Sequence, residues 1–200
     1  VSRGELVEIG DSFRLPDIMA QAGVSLIEVG TTNRTTIDDY RRALEPPPAA
    51  VVVVHPSNYR MTGYTARPSR SEIVEVAHQC GVPVVEDLGS GALIDLSPWG
   101  LEGEPTPTEA IAGGVDAVTL SGDKLLGGPQ CGIIAGRAHI VAALRADPVA
   151  RCLRPDKLSL AALEASLRLY ADPEEAVTRI PVLAALTEPE ETVRRRAGKA

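Results

Sequence analysis

One lysine stands in the stretch LSGDKLLGGPQCGIIAG, residues 120–136, between a short apolar run and a cluster of five glycines. An amine among small residues can condense with an aldehyde, and burial favours this by lowering the amine's pKa toward neutrality. The chemistry-free reading is that Lys124 pairs with Asp123 or closes the end of a strand. A nucleotide phosphate loop is excluded by order: G-x-x-x-x-G-K-[ST] is required, whereas Leu125 follows the lysine and Gly127 and Gly128 come after it. Three more polar residues follow apolar runs in the same way. Asn58 comes after VVVVHPS, Asp87 closes VPVVED, and Ser121 follows DAVTL.

The elements that must position these residues alternate. GELVEI and SLIEVG have the form of strands, and RLPDIMAQAG that of a helix ending at Gly23. TIDDYRRAL has helical spacing, with Thr36 as cap and Asp39 three residues later to close a capping box. Next come AAVVVVH, a helix around SRSEIVEVAHQCG, VPVVEDLG, a helical segment near PTEAIAGG, VDAVTLSG and CGIIAG. Short apolar runs separated by helices predict an α/β chain with a mostly parallel sheet covered on both faces. The prolines of EPPP, residues 45–48, stop a helix before the next strand. The alternation ends near ARCLRPDKL, and LSLAALEASLRLY opens a helix with Leu160, Leu163, Leu167 and Tyr170 near one face. The expected organisation is a large domain over residues 1–155, then a helical connection and the start of a smaller domain over 156–200.

In an open parallel sheet the carboxyl ends of the strands share one crevice. Asn58, Asp87, Ser121 and Lys124 are therefore expected to converge there. Lys124 can attach to an aldehyde cofactor, Asp87 can pair with a pyridine nitrogen as at a pyridoxal phosphate site, and Asn58 can hydrogen-bond a phenolic oxygen.

Composition narrows the partners. The chain carries 20 Lys and Arg against 27 Asp and Glu, a net charge of -7, which argues against general attraction to nucleic acid and leaves only a local basic site for a polyanion. Cys80, Cys131 and Cys152 form no CxxC pair and suit a reducing compartment. With no apolar run approaching 18 residues and no signal-peptide pattern at the start, the reading is cytoplasmic, without a membrane segment. His78 and His139 have no ligand spacing with the cysteines, so no metal is expected. The chain starts on VSRGELVEIG without an initiator methionine, as a fragment or processed form does.

VSRGELVEIGDSFRLPDIM, EVGTTNRT, HPSNYRMTGYT, EDLGSGALIDL, SGDKLLGGPQCGIIAG and RCLRPDKL, in this order, resemble the bacterial L-seryl-tRNA(Sec) selenium transferase (selenocysteine synthase) family. The resemblance implies a fold-type-I pyridoxal phosphate-dependent transferase core with Lys124 as the cofactor-linked lysine and Asp87 beneath the pyridine nitrogen. It implies conversion of seryl-tRNA(Sec) to selenocysteinyl-tRNA(Sec) with selenophosphate, through an aminoacrylyl intermediate, by a homo-oligomer built from dimers. Arg151 and Arg154 match arginines associated with the anionic selenium donor, and their i, i+3 spacing can place both guanidiniums on one side of a turn. Arg34 and Arg3 are further candidates for a substrate or cofactor phosphate, including across a dimer boundary, and His55 is a packed or orienting residue beside the cofactor. Cys131 stands where the family more often has alanine and is expected to be a small buried hydrophobe; Asp11 departs from the family's GGS.

The resemblance further implies a phosphate-holding loop, a ring-stacking residue and a tRNA-binding region upstream of residue 1. These 200 residues alone are then expected to bind the cofactor weakly or not at all and to make no product. Two other readings remain open: an inactive structural or assembly fragment of that enzyme, and a related pyridoxal phosphate lyase or transferase acting on a small amino acid.

Overall fold

The computed structural model describes residues 1–10 and 12–198. The helices are α1 (Leu15–Gln21), α2 (Ile37–Ala43), α3 (Arg70–Gln79), α4 (Pro107–Ala112), α5 (Ala138–Ala146), α6 (Pro148–Cys152), α7 (Lys157–Leu169), α8 (Pro173–Arg179), α9 (Pro181–Leu186) and α10 (Glu190–Ala197). The strands are β1 (Val51–Val54), β2 (Val84–Asp87), β3 (Ala117–Ser121) and β4 (Gly132–Gly136). They form one sheet in the order β1-β2-β3-β4, the first three parallel and β4 antiparallel to β3.

Local chemistry accounts for most boundaries. The Asp39 carboxylate accepts from the Thr36 backbone N–H and hydroxyl, both at 2.8 Å, closing the expected capping box of α2. Ser69 with Glu72 and Thr106 with Glu109 do the same for α3 and α4. Asp156 caps α7 by accepting from Leu158 and Ser159. The strands are runs of β-branched residues, and Val53, Val84 and Val118 are buried with Ile73, Val76 and Ala77 of α3. A second cluster packs Ala176, Ile180 and Leu183 of α8 and α9 against Ala92 and Leu96.

Two expected strands are absent. GELVEI is instead a 3-10 turn over Arg3–Glu5, and SLIEVG contributes only one bridge, Ser2 to Val29. The reason lies at the free side of β1. Glu5 Oε2 accepts the Val54 N–H at 3.0 Å, and Arg67 Nη2, 2.8 Å from Glu5 Oε1, donates to the Val54 carbonyl at 3.4 Å. An ion pair thus supplies the donor and acceptor that a neighbouring strand would give at Val54, and the turn is what delivers Glu5 to it.

At the amino edge of the sheet Asp116, 5% exposed, joins four elements. Its Oδ2 accepts from the Val84 N–H at 2.7 Å and lies 2.8 Å from His78 Nε2, while Oδ1 lies 2.6 Å from Arg137 Nε. Burial alone would raise this carboxyl, but the His78 and Val84 hydrogen bonds and the His78 and Arg137 charges outweigh it and hold it below the usual carboxylate range.

Candidate functional site

Parallel pairing puts the last residues of β1, β2 and β3 at one edge. Val54 pairs with Asp87 and Asp87 with Thr119, and the His55 N–H donates to the Asp87 carbonyl at 2.9 Å. The Thr119 hydroxyl donates to Asp87 Oδ1 at 2.7 Å, whereas Asp87 Oδ2 has no hydrogen-bond partner among the described residues. Two residues beyond Asp87 the chain passes Gly89, where a Cβ would touch both Lys124 Nζ and Ser57 Oγ at 3.9 Å. The lysine amine therefore reaches over the end of β2 from the loop that follows β3.

That loop, residues 122–131, is tied down around the lysine. The Leu125 N–H donates to the Ser90 carbonyl at 3.0 Å and the Gly122 N–H to the Cys131 carbonyl at 2.9 Å. Leu126 is fully buried. The Tyr170 hydroxyl, at the end of α7, donates to the Leu125 and Leu126 carbonyls at 3.2 and 2.9 Å, and burial pushes its pKa up to about 12, so it stays a donor. Gly91 is required here: its φ is +75° and a Cβ would lie 2.3 Å from the Ser121 carbonyl oxygen.

Beside this crevice lies a cavity of about 730 Å³ whose wall includes Arg34, His55, Ser57, Asn58, Arg60 and Glu104. His55 Nε2 and Glu104 Oε2 are 3.5 Å apart, and both atoms are buried without a hydrogen-bond partner among the described residues.

The structure thus brings Asp87, Ser121 and Lys124 to one sheet edge and lines the adjoining cavity with Arg34, His55 and Asn58. Arg151, in α6, and Arg154, in the turn after it, are exposed and have no ion pair among the described residues; both lie beyond β4 in an arm that packs through α5. Several particulars differ from expectation. Lys124 is exposed, because the loop's apolar anchor is Leu126 and the amine lies over the open end of β2. It makes no pair with Asp123 among the described residues, which removes the chemistry-free reading based on that pair. The Asn58 side-chain amide donates to the Glu8 carbonyl at 3.0 Å, occupied by the N-terminal segment that crosses it. Arg3 pairs with Glu28 at the surface. Cys131, in the loop just before β4, is only half-buried, and burial with the Asp123 charge raises its thiol pKa. Asp11 lies outside the described residues.

Sequence reasoning missed Thr119, Glu104, the Glu5–Arg67 pair and the contact of Tyr170 with the lysine loop. A threonine inside AVTLS is ordinary strand composition, and Glu104, in a loop of LEGEP, carries no local signal. Only the strand register, which sets Thr119 beside Asp87, reveals the first.

A pyridine ring with an aldehyde fits these groups: Asp87 offers an unoccupied carboxylate oxygen held in place by Thr119, and Lys124 brings an amine to the same edge. The sheet with its antiparallel final strand and lysine loop has the fold-type-I architecture found in pyridoxal phosphate-dependent enzymes. Two solved structures share it: a D-glucosaminate-6-phosphate ammonia-lyase (TM-score 0.69, 24% identity, 84% of this chain and 42% of that one) and an S. paucimobilis serine palmitoyltransferase with bound PLP (TM-score 0.54, 20% identity, 82% and 41%). The profile of the SelA family, L-seryl-tRNA selenium transferase, matches residues 1–200, and the chain belongs to that family. L-seryl-tRNA(Sec) selenium transferases of Moorella thermoacetica and Klebsiella pneumoniae (strain 342) are 57% and 54% identical to it over 197 residues. Each alignment covers 98% of this chain but only 42% and 43% of the relative, so the chain spans less than half the length of these relatives. Among the described residues no helix is long and apolar enough to cross a membrane.

Proposed function

We propose that the protein containing this chain converts seryl-tRNA(Sec) to selenocysteinyl-tRNA(Sec) with selenophosphate as donor, using pyridoxal phosphate held at the Asp87–Lys124 edge. The observation that carries the reading is the placement of Lys124 Nζ over Gly89, two residues past Asp87, in a chain that matches the family along its whole length. Bound pyridoxal phosphate supplies an electron sink for the pair left when the substrate's α-proton departs. Asp87 would keep the ring nitrogen protonated, and the Thr119 hydroxyl fixes its carboxylate for that role. Lys124 would supply the amine that holds the cofactor through its aldehyde, and as a free amine Nζ would carry the substrate's α-proton and protonate the departing hydroxyl. Arg151 and Arg154 offer a pair of guanidiniums for the donor's anionic group. His55 and Ser121, at the ends of β1 and β3, would help to hold the cofactor at this edge.

In the same reading residues 1–155 form the cofactor-binding domain and 156–200 lead into a smaller one, in a cytoplasmic homo-oligomer built from dimers. The test uses the complete, cofactor-loaded enzyme. Lys124→Ala is expected to abolish the absorption band of lysine-linked cofactor. Arg151→Ala and Arg154→Ala are expected to keep that band and to raise the donor KM by about tenfold or more, as loss of a charge-assisted contact does. A band unchanged in Lys124→Ala overturns the assignment.

A further inference from the structure

Lys124 is exposed, and its loop holds Gly122, Gly127 and Gly128, residues that lose the most backbone freedom when ordered. An amine on such a loop stays over Gly89 only if the backbone beside it is fixed. The two residues that follow the lysine anchor in different cores. Leu126 is fully buried in the cluster between the sheet and α3, whereas Leu125 packs against the cluster of α8, α9, Ala92 and Leu96. Apolar burial is non-directional, so it holds the two side chains without setting the direction of the peptide units between them.

That direction comes from Tyr170, the residue that ends α7. Its side chain packs against both clusters, and its hydroxyl donates to the Leu126 carbonyl at 2.9 Å and to the Leu125 carbonyl at 3.2 Å. No other donor among the described residues reaches either carbonyl. A phenol has one proton to give, and here that proton serves two consecutive peptide units directly after the lysine. The next residue closes the clamp: the Gly127 N–H donates back to the Lys124 carbonyl at 3.0 Å, and a Cβ on Gly127 would lie 2.2 Å from Ile180 Cγ2. Tyr40 is the contrast, a buried tyrosine whose hydroxyl has no hydrogen-bond partner among the described residues.

We propose that Tyr170 is a positioning residue for the reaction: by holding the Leu125 and Leu126 carbonyls, its hydroxyl fixes the backbone from which Lys124 reaches the cofactor and the substrate's α-proton. The assignment rests on the functional reading above. It adds a group from the helix beyond Arg154, 45 residues from Leu125 in the chain, that acts through the lysine loop.

The test uses the complete, cofactor-loaded enzyme and Tyr170→Phe, which keeps the ring and its packing and removes only the hydroxyl. The lysine-linked cofactor band is expected to persist. The single-turnover rate at saturating substrate is expected to fall about five- to tenfold, with half-saturating concentrations of seryl-tRNA(Sec) and selenophosphate within about twofold of wild type. Hydrogen exchange is expected to quicken at the amides of residues 122–131 and to stay as in wild type at those of β2 and β3. Tyr40→Phe, which removes a hydroxyl without a partner, is expected to leave the rate unchanged. An unchanged rate in Tyr170→Phe overturns the assignment. So does protection lost equally from β2 and β3, which marks a general packing role, and so does a raised half-saturating concentration at unchanged rate, which moves the effect to substrate binding. Failure of the functional reading shows separately, as a cofactor band that survives Lys124→Ala.

Discussion

The two edges of the sheet treat their buried acids in opposite ways. At the amino edge Asp116 is saturated: His78, the Val84 N–H and Arg137 meet both of its oxygens. At the carboxyl edge the polar groups are only half-used. Asp87 has one oxygen held by Thr119 and one without a partner among the described residues, and His55, Glu104 and Glu5 each have a buried atom without a hydrogen bond. Proton affinities follow the same division. Asp116 is held low, whereas burial pushes Glu5 up despite the Arg67 charge and the Val54 N–H. A saturated carboxylate spends its interactions on joining α3, β2, β3 and β4. One left partly unsatisfied has capacity for a ligand, at some cost to the stability of the fold alone.

The largest expected effect breaks the saturated edge. Asp116→Ala in the complete protein leaves His78, the Val84 N–H and Arg137 without their acceptor and is expected to cost about 2–4 kcal/mol, as stranding buried polar partners does. Thermal unfolding, with hydrogen exchange at the β2 and β3 amides, measures it. Asp87→Asn is the contrasting change: it is expected to abolish tight cofactor binding while shifting the unfolding midpoint far less. Equal destabilisation by the two would erase the distinction between the edges.

A smaller effect is the sign of the pH dependence. Asp116 has a lowered folded pKa, so its contribution is present above its unfolded value of about 3.9 and is lost as pH falls through the folded value. The stability gap between wild type and Asp116→Asn is therefore expected to close in acid. Glu5 has a raised folded pKa, so its contribution is complete below about 4.3 and is lost as pH rises through the folded value. Wild type is expected to lose ground to Glu5→Gln from pH 4 toward neutrality. Denaturation at a series of pH values reads both slopes, and slopes of the same sign contradict the assigned environments.

The smallest effect sharpens the carboxyl edge itself. Thr119→Val removes one hydroxyl donor from Asp87 and is expected to cost about 1 kcal/mol or less in stability while weakening cofactor binding roughly 3- to 10-fold. Thr119→Ser is expected to restore the affinity. Cofactor titration followed by absorbance distinguishes this from a general packing role, for which valine would serve as well as threonine and serine would not.

Much of this was written in short stretches of chain. The capping box of Thr36 and Asp39, the β-branched runs of β1 to β3, and the motifs around Lys124 and Arg151 depend on neighbours a few residues apart, so composition and spacing determine them. The sharing of one edge by Asp87, Ser121 and Lys124 also followed, because parallel strands with helical crossovers leave their carboxyl ends together. What only the tertiary structure decided is how each group is partnered. GELVEI has the pattern of a strand, yet it turns, since Glu5 is needed at the free N–H of Val54, 49 residues away. Asn58 gives its amide to the Glu8 carbonyl 50 residues back, and His55 faces Glu104 across a cavity that no local pattern announces. Hydrogen bonding and burial are properties of groups that meet in space, and a sequence specifies such meetings only through the complete packing of the fold.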